Sequence, residues 1–415
     1  MKLGDTLKRA PYRRSWPDPA THALLQACLH ADARAVDGWR AYCRSSADLK
    51  HIDEKNFRLL PLAWDNLQQR LQDDPRLRVA KGVYRRTWFW NQLLLRDMDR
   101  VVALLQDASI DVMLLKGAAL IRRYYRSPAL RPLGDIDILV RYEQAPQAAD
   151  CLVRSGWRPS KAATIKAQRP FYHAAEFTRG QTRIDLHWNA LFALRTPRGS
   201  DVFWERATPL AGTTRTTAYT LARTDELFHT CLHGARLSRN AYSWEPFPAV
   251  RWVVDAAQLI RHGDVDWTRI EDLAQRFRAT LQLRDAFGYL QRVGLFESDP
   301  GPVALMRRWE ASACLADRWP DRLHYDLSLQ SSPPLHWLPL PSFRFWPTYR
   351  MLRFLAREVG GEPAAPWQRG AIGWVQRFVS VDLEIDNLRG APRAALKRLM
   401  AARRGHRRWI VPKQE

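Results

Sequence analysis

Three aspartates carry the chemistry in this sequence. Asp135 and Asp137 flank Ile136 in the run Gly134-Asp135-Ile136-Asp137-Ile138-Leu139-Val140. In a strand, residues two apart point to the same face, so the two carboxylates aim together while Ile136 and Ile138 face a core. At roughly 6–7 Å along the strand they repel each other unless a cation sits between them. All-oxygen ligands favour Mg²⁺, with Mn²⁺ as the alternative; a solvated strand end bearing two acids is the plainer reading. The third acid lies in Arg183-Ile184-Asp185-Leu186-His187-Trp188. There Ile184 and Leu186 alternate with Asp185 and His187, the pattern of a half-buried strand with Asp185 on its polar face. Taken alone, Asp185 reads equally as a surface acid on an edge strand. Brought beside Asp135 and Asp137, it completes the carboxylate cluster that two-metal phosphoryl transfer needs. One ion there lowers the pKa of an acceptor hydroxyl, and the other neutralises a triphosphate and its leaving group. Asp185, on the acceptor side, can also take the hydroxyl proton. His187 is the alternative base, or a substrate contact.

These acids need a frame. Upstream, Val112-Met113-Leu114-Leu115 reads as a buried strand that turns at Lys116-Gly117 into a short helix, a junction suited to a phosphate ligand. The long segment 88–105 carries Leu93, Leu94, Met98, Val101, Val102 and Leu105 at spacings of three and four, which predicts a helix leading into that strand. Helices are also expected over 22–29 and 59–71. From Thr224-Asp225-Glu226-Leu227 to about Arg292 the pattern is again helical, with Thr224 expected to cap and acids in the first turn. The division expected is a basic arm (1–20), an N-terminal helical region (21–110), a core (111–216), a helical domain (217–330) and a Pro/Trp-rich, basic C-terminal region (331–415).

The runs Leu115-Lys116-Gly117-Ala118-Ala119-Leu120, Arg131-Pro132-Leu133-Gly134-Asp135-Ile136-Asp137 and Ile184-Asp185-Leu186-His187-Trp188 resemble the uncharacterised bacterial nucleotidyltransferase family of the DNA polymerase β superfamily. The resemblance extends over about residues 60–260 and is strongest over 112–140. It includes Leu232-His233-Gly234-Ala235 and Arg251-Trp252-Val253-Val254-Asp255, which would wall an acceptor cleft. It implies an α+β fold with a polymerase-β-like core, a small mixed sheet with flanking helices. It also implies NTP as donor and Mg²⁺ held by Asp135, Asp137 and Asp185. Many members of the superfamily carry Gly-Ser at the turn, where a hydroxyl helps hold the triphosphate; here Gly117-Ala118 stands instead. Gly117 would still admit the triphosphate, and Lys116 or Arg131 would supply a charge in place of the missing hydroxyl contact. The Lys-Gly, Arg and Asp-x-Asp combination also resembles abortive-infection toxin nucleotidyltransferases. Members of the family are often associated with exopolysaccharide or modified-peptide gene clusters.

Other features bound the function. Five cysteines (Cys28, Cys43, Cys151, Cys231, Cys314) without a CxxC spacing argue against a disulfide framework and for a reducing compartment. No apolar leader or membrane-spanning run is evident, and a cytoplasmic location is expected. The net charge of +22 suits NTP, RNA or an anionic membrane surface, although the arginines are spread along the whole chain and a compositional origin is the alternative. His229 and His233 sit one helical turn apart with Cys231 between, but no Glu follows the first His. A packed helix beside the cleft is preferred there to zinc. Asp382, Glu384 and Asp386 share one side of an alternating run without a nearby Gly turn, a solvated face rather than a second site. The tail over 393–413 can grip RNA or anionic lipid, or form a solvated terminal helix.

Two function classes follow. The preferred one is Mg²⁺-dependent transfer of a nucleoside monophosphate from NTP to a hydroxyl of a sugar, peptide, protein or RNA, with a toxin acting on tRNA as a variant. The rival is a non-catalytic RNA- or protein-binding module on a degenerate core. A pure binder gains nothing from clustered, mutually repelling carboxylates.

Overall fold

The apolar run 112–115 is fully buried, as a strand in the middle of a sheet must be. In the computed structural model it holds strand β1 (Met113–Leu114). Described are residues 16–45, 52–160, 165, 173–191, 198–210, 218–237, 250–277 and 279–312. β1 pairs antiparallel with β2 (Ile136–Leu139), Leu114 lying opposite Ile138. The other strands are β3 (Arg158–Pro159), β4 (Ala174–Arg179), β5 (Thr182–His187), β6 (Thr208–Leu210) and β7 (Ala218–Thr220). The seven form one mixed sheet in the order β3-β4-β5-β2-β1-β7-β6. Its parallel pairs are β1 with β7 and β2 with β5, and the sheet therefore runs on to Thr220. The α+β class with a small mixed sheet and flanking helices is the fold that the family resemblance implied.

Among the described residues, four helices precede the long one: α1 (Pro19–Leu29), α2 (Ala33–Ser45), α3 (Glu54–Phe57) and α4 (Leu60–Leu67). α5 (Pro75–Asp107) runs 33 residues, about 50 Å at 1.5 Å per residue. Asp74 starts it, its carboxylate accepting from the N–H groups of Arg76 and Leu77, with Pro75 in the first turn, where its missing N–H costs nothing. Its buried stripe, Leu77, Ala80, Val83, Thr87, Asn91, Leu95, Met98, Val101, Val102 and Leu105, keeps one face on the protein. α6 (Lys116–Tyr124) follows β1 directly, and α7 (Ala145–Arg154) and α8 (Asp201–Trp204) lie further along the chain.

The helical half comprises α9 (Arg223–Leu237), α10 (Arg251–Arg261), α11 (Trp267–Arg276), α12 (Thr280–Arg292) and α13 (Gly301–Ser312). Its interior includes Phe228, Trp252, Phe287, Tyr289 and Trp309. Thr224 does not cap α9, which begins one residue earlier; its hydroxyl instead accepts the backbone N–H of Asp266, 3.2 Å away. No helix among the described residues is long and apolar enough to cross a membrane. The Asp382/Glu384/Asp386 run, the basic tail, Cys314 and most of the basic arm lie outside the described residues.

Candidate active site

The site is assembled where β2 and β5 run side by side. Their parallel register sets Asp137 opposite Asp185 and Leu139 opposite His187. On β5 the pleat turns Ile184 and Leu186 into the core and leaves Arg183, Asp185 and His187 on the other face. Donor atoms of Asp137, Asp185 and His187 all lie within 4.8 Å of one another. Two carboxylates and an imidazole at that spacing form a donor set that fits a divalent cation. Asp135 is half-buried, just before β2, and is not part of this tight group.

The positive group beside Asp137 is Lys116. Its ammonium donates to Asp137 Oδ1 at 2.5 Å, and His187 Nε2–H donates to the same oxygen at 3.0 Å. Burial works to raise the Asp137 carboxyl, but the Lys116 charge and the His187 contact outweigh it and hold it well below the usual carboxylate range. Burial likewise opposes the Lys116 charge, yet Asp137, with Asp135 and Asp185 beyond it, keeps the ammonium above the ordinary lysine value. Asp185 is shifted the other way. Burial first, and the neighbouring Asp137 and Asp135 charges second, raise it, while His187 pulls against them. His187 is 1% exposed, and its Nδ1 has no partner among the described residues. Moving the ring proton from Nε2 to Nδ1 would free Nε2 as a ligand atom.

Lys116 begins α6 with a φ of 49°, in the left-handed region that residues with a Cβ rarely adopt. Conformations of that kind cost roughly 1–3 kcal/mol and persist only where the surroundings over-determine them. Here the ion pair and the Leu115 N–H to Asp137 carbonyl bond (3.1 Å) fix both sides of the junction. Gly117 follows, and a Cβ on it would fall 2.3 Å from Arg131 Nη1 and 2.4 Å from Leu133 Cδ2. Its bare Cα is therefore filled by the Arg131–Leu133 segment. Arg131 is buried and bidentate to Asp255 at 2.7 and 2.8 Å, and Asp255 also accepts the Tyr125 hydroxyl at 2.7 Å. Arg131 Nη1, against Gly117, has no partner among the described residues.

The segment before the acids is held from α5, α10 and β5. Asn91, 1% exposed in the buried stripe of α5, donates to the carbonyls of Pro128 (2.5 Å) and Arg131 (2.8 Å) and accepts from Leu133 N–H (3.1 Å). Arg251 donates to the Pro132 carbonyl at 2.6 Å, and Arg183 to that of Gly134 at 3.3 Å. Asn91 and Arg183 were not singled out as site residues from the sequence, and Arg251 and Asp255 entered only within a run expected to wall the acceptor cleft. Asn91 left one signal, a polar amide at an apolar stripe position. Arg183 left another, two residues from Asp185 on an alternating strand.

The histidine pair of α9 packs rather than forming a tight metal group among the described residues. The His229 and His233 rings stack with centroids 5.9 Å apart at 7°, and His229 Nε2–H donates to the Ala190 carbonyl at 3.0 Å. Burial first, then the Lys116 charge, push His229 down to about 4. Cys231 lies in the core.

A family described as uncharacterised nucleotidyltransferase matches residues 55–294, more than half of the chain. The match spans β1, β2, β5, α6 and α10, and with them every residue of the site. Comparison with curated proteins finds no match.

Proposed function

Because the chain belongs to this family of uncharacterised nucleotidyltransferases, we propose that it transfers a nucleoside monophosphate from an NTP to a hydroxyl of an acceptor, in the cytoplasm. The observation that carries this reading is the pairing of Asp137 with Asp185 across β2 and β5, with His187 completing a donor group within 4.8 Å. Asp137, Asp185 and His187 would hold a divalent cation, Mg²⁺ or Mn²⁺, with Asp135 at the edge of the site on the donor side. Bound there, the cation lowers the pKa of the acceptor hydroxyl and offsets charge on the phosphates.

Asp185 is the half-buried member of the group and the one able to take a proton. The hydroxyl oxygen bonds to the α-phosphorus as its proton passes to Asp185. The bond from that phosphorus to the β-bridging oxygen breaks, and pyrophosphate leaves. Lys116 keeps Asp137 ionised, and its ammonium is close enough to the acids to meet phosphate oxygens once it leaves Oδ1. Arg131 and Gly117 serve the donor by fixing the start of α6. The acceptor belongs to the sugar, peptide, protein or RNA class.

The test is incubation of the protein with each of the four NTPs labelled at the α-phosphate, with Mg²⁺ or Mn²⁺ and cell extract. Label should pass to an acceptor with wild-type protein and not with Asp137→Asn. Nucleotide binding without transfer under any of these conditions would favour the non-catalytic module, for which the Ala118 in place of the usual serine speaks.

A further inference from the structure

Three arginines from three separate elements reach the segment 132–135 that leads into β2. Arg58 closes α3, Arg183 lies on β5 and Arg251 opens α10. A Cβ on Gly134 would lie 3.7 Å from Arg183 Nη2 and 3.8 Å from Arg58 Nη2, so two guanidinium groups stand over this one glycine. Arg251 reaches the same segment through the Pro132 carbonyl. Among the described residues, neither Arg183 nor Arg251 forms an ion pair with a carboxylate, and the one acid paired with Arg58 is the exposed Glu54. Asp135 is the one carboxylate within this segment, so the three arginines outnumber it there. Burial first, and then repulsion from Arg131 and Arg58, depress the Arg251 guanidinium below the usual arginine range, against the pull of Asp255 and Asp135. Guanidinium groups crowded in this way are stabilised by a polyanion that pairs with several at once.

Where that anion lies relative to the acids follows from the strands. Asp135 and Arg183 each stand one residue before the paired Ile136 and Ile184. Arg183 and Asp185 share one face of β5, two residues apart, roughly 6–7 Å. A polyphosphate whose first phosphorus lies at Asp137 and Asp185 would extend its remaining phosphates past Asp135 to the arginines. The usual alternative, the start of α6, has no room at Gly117, which Arg131 and Leu133 cover, and Lys116, held at Asp137, would meet only the phosphate that lies at the acids.

We propose that Arg58, Arg183 and Arg251 form the site for the β- and γ-phosphates of the donor, and for the pyrophosphate that leaves, in place of a Gly-Ser turn. The proposal rests on the nucleotidyltransferase reading and deepens it. The probes are inorganic tripolyphosphate without metal, and Mg²⁺–NTP, titrated calorimetrically at several salt concentrations. Arg183 is exposed and Arg58 half-buried, so Arg58→Ala and Arg183→Ala should melt as wild type. Each should weaken tripolyphosphate and NTP binding about 10-fold or more, flatten the salt dependence, and be partly rescued by Arg→Lys. Wild-type affinity for both probes in the Arg58→Ala/Arg183→Ala double variant would overturn the arginine site, while label transfer that still needs Asp137 would leave the reading beneath it standing. Absence of both NTP binding and label transfer in the wild-type protein would overturn both.

Discussion

The ammonium of Lys116 lies 2.5 Å from Oδ1 of Asp137, and the carboxylate is only 5% exposed. The repulsion between clustered acids is thus relieved by a side chain of the protein itself, from the residue where β1 turns into α6. Removing one partner of a buried pair typically costs about 3–5 kcal/mol, because the other charge is left uncompensated. Lys116→Met should show a loss of that order in urea unfolding without divalent ions. Millimolar Mn²⁺ or Mg²⁺ should restore part of it, since a ligand that binds only the folded state stabilises it. Unchanged stability of the variant in chelator would show that Asp137 does not depend on Lys116.

Gly117 is required by packing before any nucleotide is considered. Gly117→Ala places a methyl against Arg131 and Leu133, and overpacking of that kind costs about 1–3 kcal/mol. The loss should appear in thermal melts with and without NTP. A variant as stable as wild type but unable to bind NTP would instead mean that the nucleotide itself occupies this space.

Glu226 makes stability depend on pH. Burial, and then the nearby Asp255 charge, raise its carboxyl from 4.5 to about 8, against the pull of Arg131 and Arg123. Between those values the folded state holds a proton that the unfolded chain has lost, so stability falls as pH rises across the window. His229 is depressed from 6.5 to about 4, so its folded form holds fewer protons and its contribution rises with pH up to 6.5. His22, His30 and His233 are also lowered, and their effects likewise end there. From pH 6.5 to 8 the Glu226 effect stands alone among these groups, at up to about 2 kcal/mol for 1.36 kcal/mol per unit. Urea unfolding of wild type should weaken over that range, and Glu226→Gln should remove the slope; an equal slope in both proteins would refute the assignment.

The sheet and its acids were legible because their signals are local. Period-two alternation marks β5, a continuous apolar run marks β1, and Asp-Ile-Asp-Ile marks β2. The partners of those acids were not legible, because they are set by tertiary contacts. Arg131 pairs with Asp255 across 124 positions, and no spacing rule links them. Lys116 was read as a phosphate contact since a Lys-Gly turn suits one, and its ion pair with Asp137, 21 positions away, had no such local signal. His187 was read as a base or substrate contact, and the β2–β5 register makes it a donor of the same tight group. β6 and β7 are three residues each, too short to stand out among the Pro, Thr and Arg around them.

The central claim, that the β2–β5 pairing builds a transfer site rather than a binding surface, rests on Asp185. Asp185→Asn keeps the side-chain shape while removing the charge and the base. The measurement is the rate of transfer of α-labelled phosphate at saturating NTP, beside calorimetric NTP affinity, for wild type, Asp185→Asn and His187→Ala. Asp185→Asn should bind Mg²⁺–NTP within a few-fold of wild type while transfer falls by about 10²–10⁴. Transfer at the wild-type rate in Asp185→Asn, with activity lost only in His187→Ala, would contradict it.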